Sequence, residues 1–277
     1  MFRKSISTIC LIVFTVSMFL YNWINETKSS VHITPDYAKV DIYQMVHNRE
    51  VSVPERIFLA GQTGIGLDVV EKLLAENKGM KLLELQAAYF APVETISIPS
   101  SPLTVSEYLV DEKGRFAEGT EFADIQKGDI LITKNSRFLG WRNGHVGLVV
   151  DTKKGLVLEA LMLGVNTQLC PLENWTELPS FQVLRLKRGA GSSQLENLCF
   201  TWLVAEYAMD HLVDIPYSLT AGMNPKEITI TKTQCAHLIW YAYKQFGIDL
   251  DSNGGLIVTP EDIRNSPYLE VVQSYGY

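Results

Sequence analysis

"RNGHVGLVVD", residues 142–151, decides how this chain is read. An Asn-Gly turn leads into His145, and the apolar run Val146, Gly147, Leu148, Val149, Val150 follows. Such a run, opened by a turn signal, reads as a buried strand. An imidazole at the head of a buried strand has three readings: a satisfied core side chain, a metal ligand, or half of a catalytic pair. A partner elsewhere in the chain has to choose between them.

The surroundings are those of an α+β domain. "DILIT" (129–133), "GLVLEAL" (155–161) and "FQVLRLK" (181–187) are further short strands. A helix is expected from about Ser193 to Leu212, with Leu195, Leu198, Cys199, Trp202 and Leu203 on its buried side. "ITITKTQCAHLIWYAYKQFG" (228–247) reads as a brief strand running into a helix that Gly247 ends.

The partner is expected in that last helix. With Thr233 as N-cap, Cys235 stands in the first turn. The positive end of a helix stabilises a thiolate, and its unpaired N–H groups can hold an oxyanion. A buried, inert cysteine is the commoner case; a histidine heading a strand of the same domain changes the balance. Glu159, a carboxylate inside an apolar strand, is the candidate to orient His145, against the reading of an edge glutamate facing water. Strand parity decides between these. A two-residue loop at 153–154 puts Glu159 on the opposite face from His145, whereas a three- or five-residue loop or one bulge puts them together.

Taken together, "GDILIT…GHVGLVVD…LVLEAL" and "PYSL…CAHLIWYAY" resemble the circularly permuted papain-like hydrolases, in particular the YiiX/YebB branch of the NlpC-type cell-wall hydrolase superfamily. The resemblance covers about residues 125–270, with the histidine strand ahead of the cysteine helix. It implies a small antiparallel sheet or barrel with a Cys-bearing helix. It also implies Cys235 as nucleophile, His145 as general base and acid, and Glu159 as orienter. Tyr217, in the Pro-Tyr that recurs in the family, is a candidate to line the site or donate to the oxyanion; a half-buried core tyrosine is the bland alternative. Asp129 is expected to hold the turn into its strand. Where the family often has Cys-Ser, this chain has Cys235-Ala236-His237, and His237 is expected to be a surface or packing residue. The implied substrate is an amide, a peptide bond of the cell wall; related permuted enzymes act on lipid acyl groups, and a non-catalytic binding module is the third class.

The rest of the chain bounds these readings. Arg3 and Lys4 precede the charge-free stretch "ISTICLIVFTVSMFLYNWI" (6–24), about 28 Å long as a helix and close to the hydrocarbon core of a bilayer. Residues 1–28 are expected to be a signal anchor or transmembrane segment with the remainder extracytoplasmic, a cleaved signal being the competing reading. Residues 29–95 read as a helical region, with Val69, Val70, Leu73 and Leu74 on one stripe, and 96–277 as the hydrolase domain. Residues 92–126 read as irregular, broken by Pro92, Pro99 and Pro102. The net charge of −7 argues against a nucleic-acid surface, which needs clustered Lys and Arg. No zinc-type ligand spacing appears, and neither a metal nor a cofactor is expected. Outside the apolar segment stand Cys170, Cys199 and Cys235, which cannot all pair within one chain. Cys170 and Cys199 read as core residues, and a bridge between them would leave Cys235 free.

Overall fold

The computed structural model describes residues 2–28, 30–47, 50–187, 194–222 and 229–277; the side chains of 2–10, 22, 26–28 and 194–197 lie outside that description. In chain order the helices are α1 (Phe2–Lys28), α2 (Tyr43–His47), α3 (Val53–Thr63), α4 (Leu67–Ala75), α5 (Gly79–Tyr89), α6 (Gln194–His211), α7 (Cys235–Lys244) and α8 (Pro260–Arg264). The strands are β1 (Glu94–Ser101), β2 (Thr104–Val110), β3 (Ile130–Thr133), β4 (Ser136–Phe138), β5 (His145–Asp151), β6 (Leu156–Glu159), β7 (Gln168–Pro171), β8 (Phe181–Leu186) and β9 (Leu269–Tyr275).

The quoted stretch is β5, inside a six-stranded antiparallel sheet ordered β7-β6-β5-β3-β8-β9. Its strands are apolar at successive positions because both faces are covered. Ile130, Ile132, Val146, Leu148 and Leu158 pack with α6 and α7. The alternate residues Leu131, Val149, Val157 and Val183 pack with Trp175, Phe181 and the helices α3–α5. The fold is thus α+β, with helices on both sides of an antiparallel sheet. The helical segment joins this same core: Leu59, Val69 and Leu82 are fully buried in it, and Gly64 and Ile65 pair with β9.

Three expectations change. The stretch 92–126 is not wholly irregular, since β1 and β2 form a hairpin that β4 extends. Pro99 fits because β1 is an edge strand with a register shift between Pro99 and Ser101, where no ladder donor is lost. On α6 the sheet-facing side is Val204, Ala205, Ala208 and Leu212, while Leu198, Trp202 and Leu203 are exposed. Small residues let the helix approach the sheet closely, and the large ones are turned away.

The third change concerns the N-terminus. Residues 6–24 do lie in one helix, α1, but among the described residues no helix is long and apolar enough to cross a membrane. The described apolar run Leu11–Tyr21 is about 16 Å long at 1.5 Å per residue, short of a hydrocarbon core of about 30 Å. The remainder of the expected span includes residues 6–10 and 22, whose side chains lie outside the description. Nor does α1 stand clear of the domain: the Phe19 ring is 5.6 Å from that of Trp141, and Trp23 lies against Gly140.

Candidate active site

The β5–β6 hairpin brings His145 and Glu159 together. Gly147 stands opposite Glu159, and the register shifts by one residue between Val149 and Asp151. Without that bulge at Val150 the two side chains would point to opposite faces. With it, His145 Nε2 lies 3.0 Å from Glu159 Oε2, and both residues are more than nine-tenths buried.

Cys235 reaches the same imidazole from α7, which packs across β5. Cys235 interacts with His145 closely enough to favour its charged form, and the thiol donates to the Gln234 side-chain oxygen at 3.5 Å. The start of α7 differs by one residue from the expected cap. Gln234, not Thr233, is the N-cap, so Cys235 is the first helical residue. The Gln234 side chain accepts from the Ala236 N–H at 2.9 Å and donates to the Val258 carbonyl at 2.7 Å. Thr233 is instead tied by its backbone to the Tyr217 loop, with Thr233 N–H donating to Pro216 and Ser218 N–H to Thr233. That short parallel bridge, in place of the expected strand, sets Tyr217 beside Cys235.

The electrostatics follow from burial and contact. Burial opposes an imidazolium at His145, but hydrogen bonds and charge from Cys235 and Glu159 outweigh it and push the group up to about 10. Burial likewise opposes ionisation of Glu159, and the His145 contact more than offsets it, holding the carboxyl below its ordinary range. The site therefore favours an imidazolium braced by a carboxylate, the state that supports a thiolate. Burial, and then the proximity of Cys235, pushes the Tyr217 phenol well up, so it stays a hydroxyl able to donate.

All four residues line one cleft of about 810 Å³. Three further side chains belong to the site that sequence reasoning passed over. Trp175 stacks on His145 with ring centroids 5.7 Å apart, and Gly147 makes room for it, since a Cβ there would come 2.9 Å from the indole. Cys170 interacts with Glu159; burial and the neighbouring carboxylate push its thiol well up, so it is held protonated. Gln234 is the third, visible in the sequence only as the residue before Cys235.

The remaining candidates are placed as follows. Of the two expected roles His237 takes the packing one: it is buried, with Nδ1 3.1 Å from the Thr233 hydroxyl and its ring beside Trp240. Asp129 accepts from the Gln126 N–H and from Arg185 through both carboxylate oxygens. Cys170 and Cys199 are both free, Cys170 buried and Cys199 exposed, so Cys199 is not a core residue and the two form no bridge. Among the described residues no group of three His, Cys, Asp or Glu could hold a metal ion.

No family model matches the chain. No solved structure matches it either. Over 149 residues the chain is 28% identical to the uncharacterized protein YycO of Bacillus subtilis (strain 168), covering 53% of this chain and 56% of that protein. The chain thus spans little more than half the length of the relative it matches.

Proposed function

We propose that this chain is a thiol hydrolase of the permuted papain-like, NlpC-type kind. The carrying observation is a helix-initial Cys235 that shares one cleft with an imidazole whose Nε2 is 3.0 Å from Glu159. The Cys235 thiolate attacks a carbonyl carbon, forming a C–S bond, and the developing oxyanion is held by the Cys235 N–H and the Tyr217 hydroxyl. The bond to the leaving nitrogen or oxygen then breaks, and the leaving group takes its proton from the His145 imidazolium. Water next gives a proton to His145 and its hydroxyl to the acyl carbon. The C–S bond breaks, and the thiolate–imidazolium pair returns. Glu159 keeps the ring oriented and its charge supported throughout.

The expected extracytoplasmic position and the resemblance to cell-wall hydrolases make a peptide amide one substrate class. The lipid acyl reading is favoured by the cleft itself, whose walls include Phe138, Leu139, Trp141, Leu161, Met162 and Leu163. The test is covalent labelling of the full chain with iodoacetamide and with a thiol-directed acyl probe, read by mass spectrometry. Wild type should label at Cys235 far faster than a free thiol at pH 6–7, Cys235→Ala should not label there, and His145→Ala should label only at the rate of an ordinary thiol. Equal rates in wild type and His145→Ala would exclude the pair as a catalytic unit.

A further inference from the structure

His145 uses one oxygen of the Glu159 carboxylate, Oε2, at 3.0 Å. Glu159 is 7% exposed, and a carboxylate buried to that degree is costly unless both oxygens find donors. The neighbouring strand β7 faces the group from the side away from β5. Gln168 stands directly opposite Glu159 across the β6–β7 ladder, and Cys170 stands opposite Val157. Residues two apart on a strand share a face, so Gln168 and Cys170 both lie on the face of Glu159. Direct cross-strand neighbours have Cβ atoms about 4.5–5.5 Å apart, and diagonal ones about 7–8 Å or somewhat less, within reach of long side chains. All three residues line the cleft that holds His145 and Cys235.

The two β7 residues suit that contact in different ways. The Gln168 amide supplies N–H donors and carries no charge. Cys170 is buried with Trp175, and burial, then the Glu159 charge, pushes its thiol well up. It keeps its proton, and an S–H that faces a carboxylate is a donor. Burial opposes the charge on Glu159; His145 favours it most, and Cys170 and then Gln168 favour it further. The other titratable groups on this side are Tyr108 on β2 and, near Tyr108, Glu177. Neither can become a cation, so His145 is the counter-charge and β7 supplies neutral donors. The need is greatest with substrate bound, because a filled cleft removes water from the same carboxylate.

We propose that Gln168 and Cys170 are positioning residues: from β7 they donate to the Glu159 oxygen that His145 leaves, and so hold the carboxylate aimed at the imidazole. Their role rests on the thiol hydrolase reading, in which that imidazole serves Cys235.

The test reads His145 directly, by NMR titration of the full chain carrying isotope-labelled histidine, with His145→Gln assigning the signal. The wild-type midpoint is expected at about 10. Gln168→Met and Cys170→Ala each remove a donor and should lower it by about one unit, a tenfold change in the protonation equilibrium. Gln168→Ala serves if Gln168→Met fails to fold. Cys170→Ser restores a donor and should bring the midpoint back toward wild type. In a Glu159→Gln background the donor-less substitutions should move it no further, since the carboxylate on which they act is gone. Residues that only pack would lower the urea midpoint in both backgrounds and leave the titration in place. That outcome, or an equal shift with and without Glu159, overturns the positioning role. Iodoacetamide alkylation of Cys235 in the same samples tests the hydrolase reading separately. Slow alkylation with the shifts present sinks the hydrolase reading alone, and fast alkylation with no shift sinks the role of β7 alone.

Discussion

His145 and Glu159 meet because Gly147, and not Leu148, stands opposite Glu159 across the β5–β6 ladder. A single bulged residue, Val150, sets this register and gives the imidazole its carboxylate at 3.0 Å. Glu159→Gln keeps the shape of the contact and removes the charge. Turnover should fall by at least tenfold, toward the roughly 10⁴ seen when a triad loses its orienting carboxylate. The upper limb of the Cys235 alkylation profile, where His145 loses its proton, should move to lower pH. Identical profiles in wild type and variant would leave Cys235 and His145 as a dyad.

The raised His145 titration also affects stability. A group held up to about 10 in the fold contributes fully below its unfolded value near 6.5, and the contribution is lost as pH rises through about 10. The urea midpoint of the wild type should therefore decline between pH 7 and pH 10. His145→Gln removes the titrating group and should flatten that decline. A decline of the same size in the variant would assign the pH dependence to other groups.

Gly147 has its own test. A Cβ there would meet Val157 Cγ1 at 2.6 Å and the Trp175 ring at 2.9 Å. Gly147→Ala should destabilise by about 1–3 kcal/mol, the cost of overpacking. Because Trp175 stacks on His145, the variant should also slow Cys235 alkylation under conditions where it remains folded. Denaturant titration and alkylation kinetics together separate the two effects.

Tyr217→Phe bears on the oxyanion. Loss of one donor should lower turnover by about 10²- to 10³-fold while leaving the alkylation rate of Cys235 nearly unchanged, because alkylation develops no oxyanion. Unchanged turnover would make Tyr217 a wall of the cleft and nothing more.

Gln234→Ala removes the cap of α7 and leaves the buried Val258 carbonyl without its donor. About 1–3 kcal/mol should be lost. The cap sits immediately before Cys235, so Gln234→Glu is informative beside it: it keeps the cap acceptor and, when ionised, loses the donor to Val258. A calorimetric Tm for each variant tells the two contributions apart.

The strands β3, β5, β6 and β8 were legible in the sequence because each is a short apolar run bounded by turn residues. So was the pairing of a histidine-headed strand with a helix-initial cysteine, because both chemistries announce themselves in residue type. The edge strand β1, with Pro99 in it, was hidden because its alternation is among polar and half-exposed residues. The buried side of α6 was misassigned because alanines make the contact while the larger apolar residues face outward.

The local pattern of residues picked out the candidate side chains; it could not determine the face on which they meet. Strand side chains alternate with a period of two, so a bulge of one residue decides between a paired His145–Glu159 and two unrelated groups. Trp175, Cys170 and the Tyr217 bridge entered the site by the same route. Their positions depend on contacts between segments distant in the chain, and only packing in three dimensions specifies those.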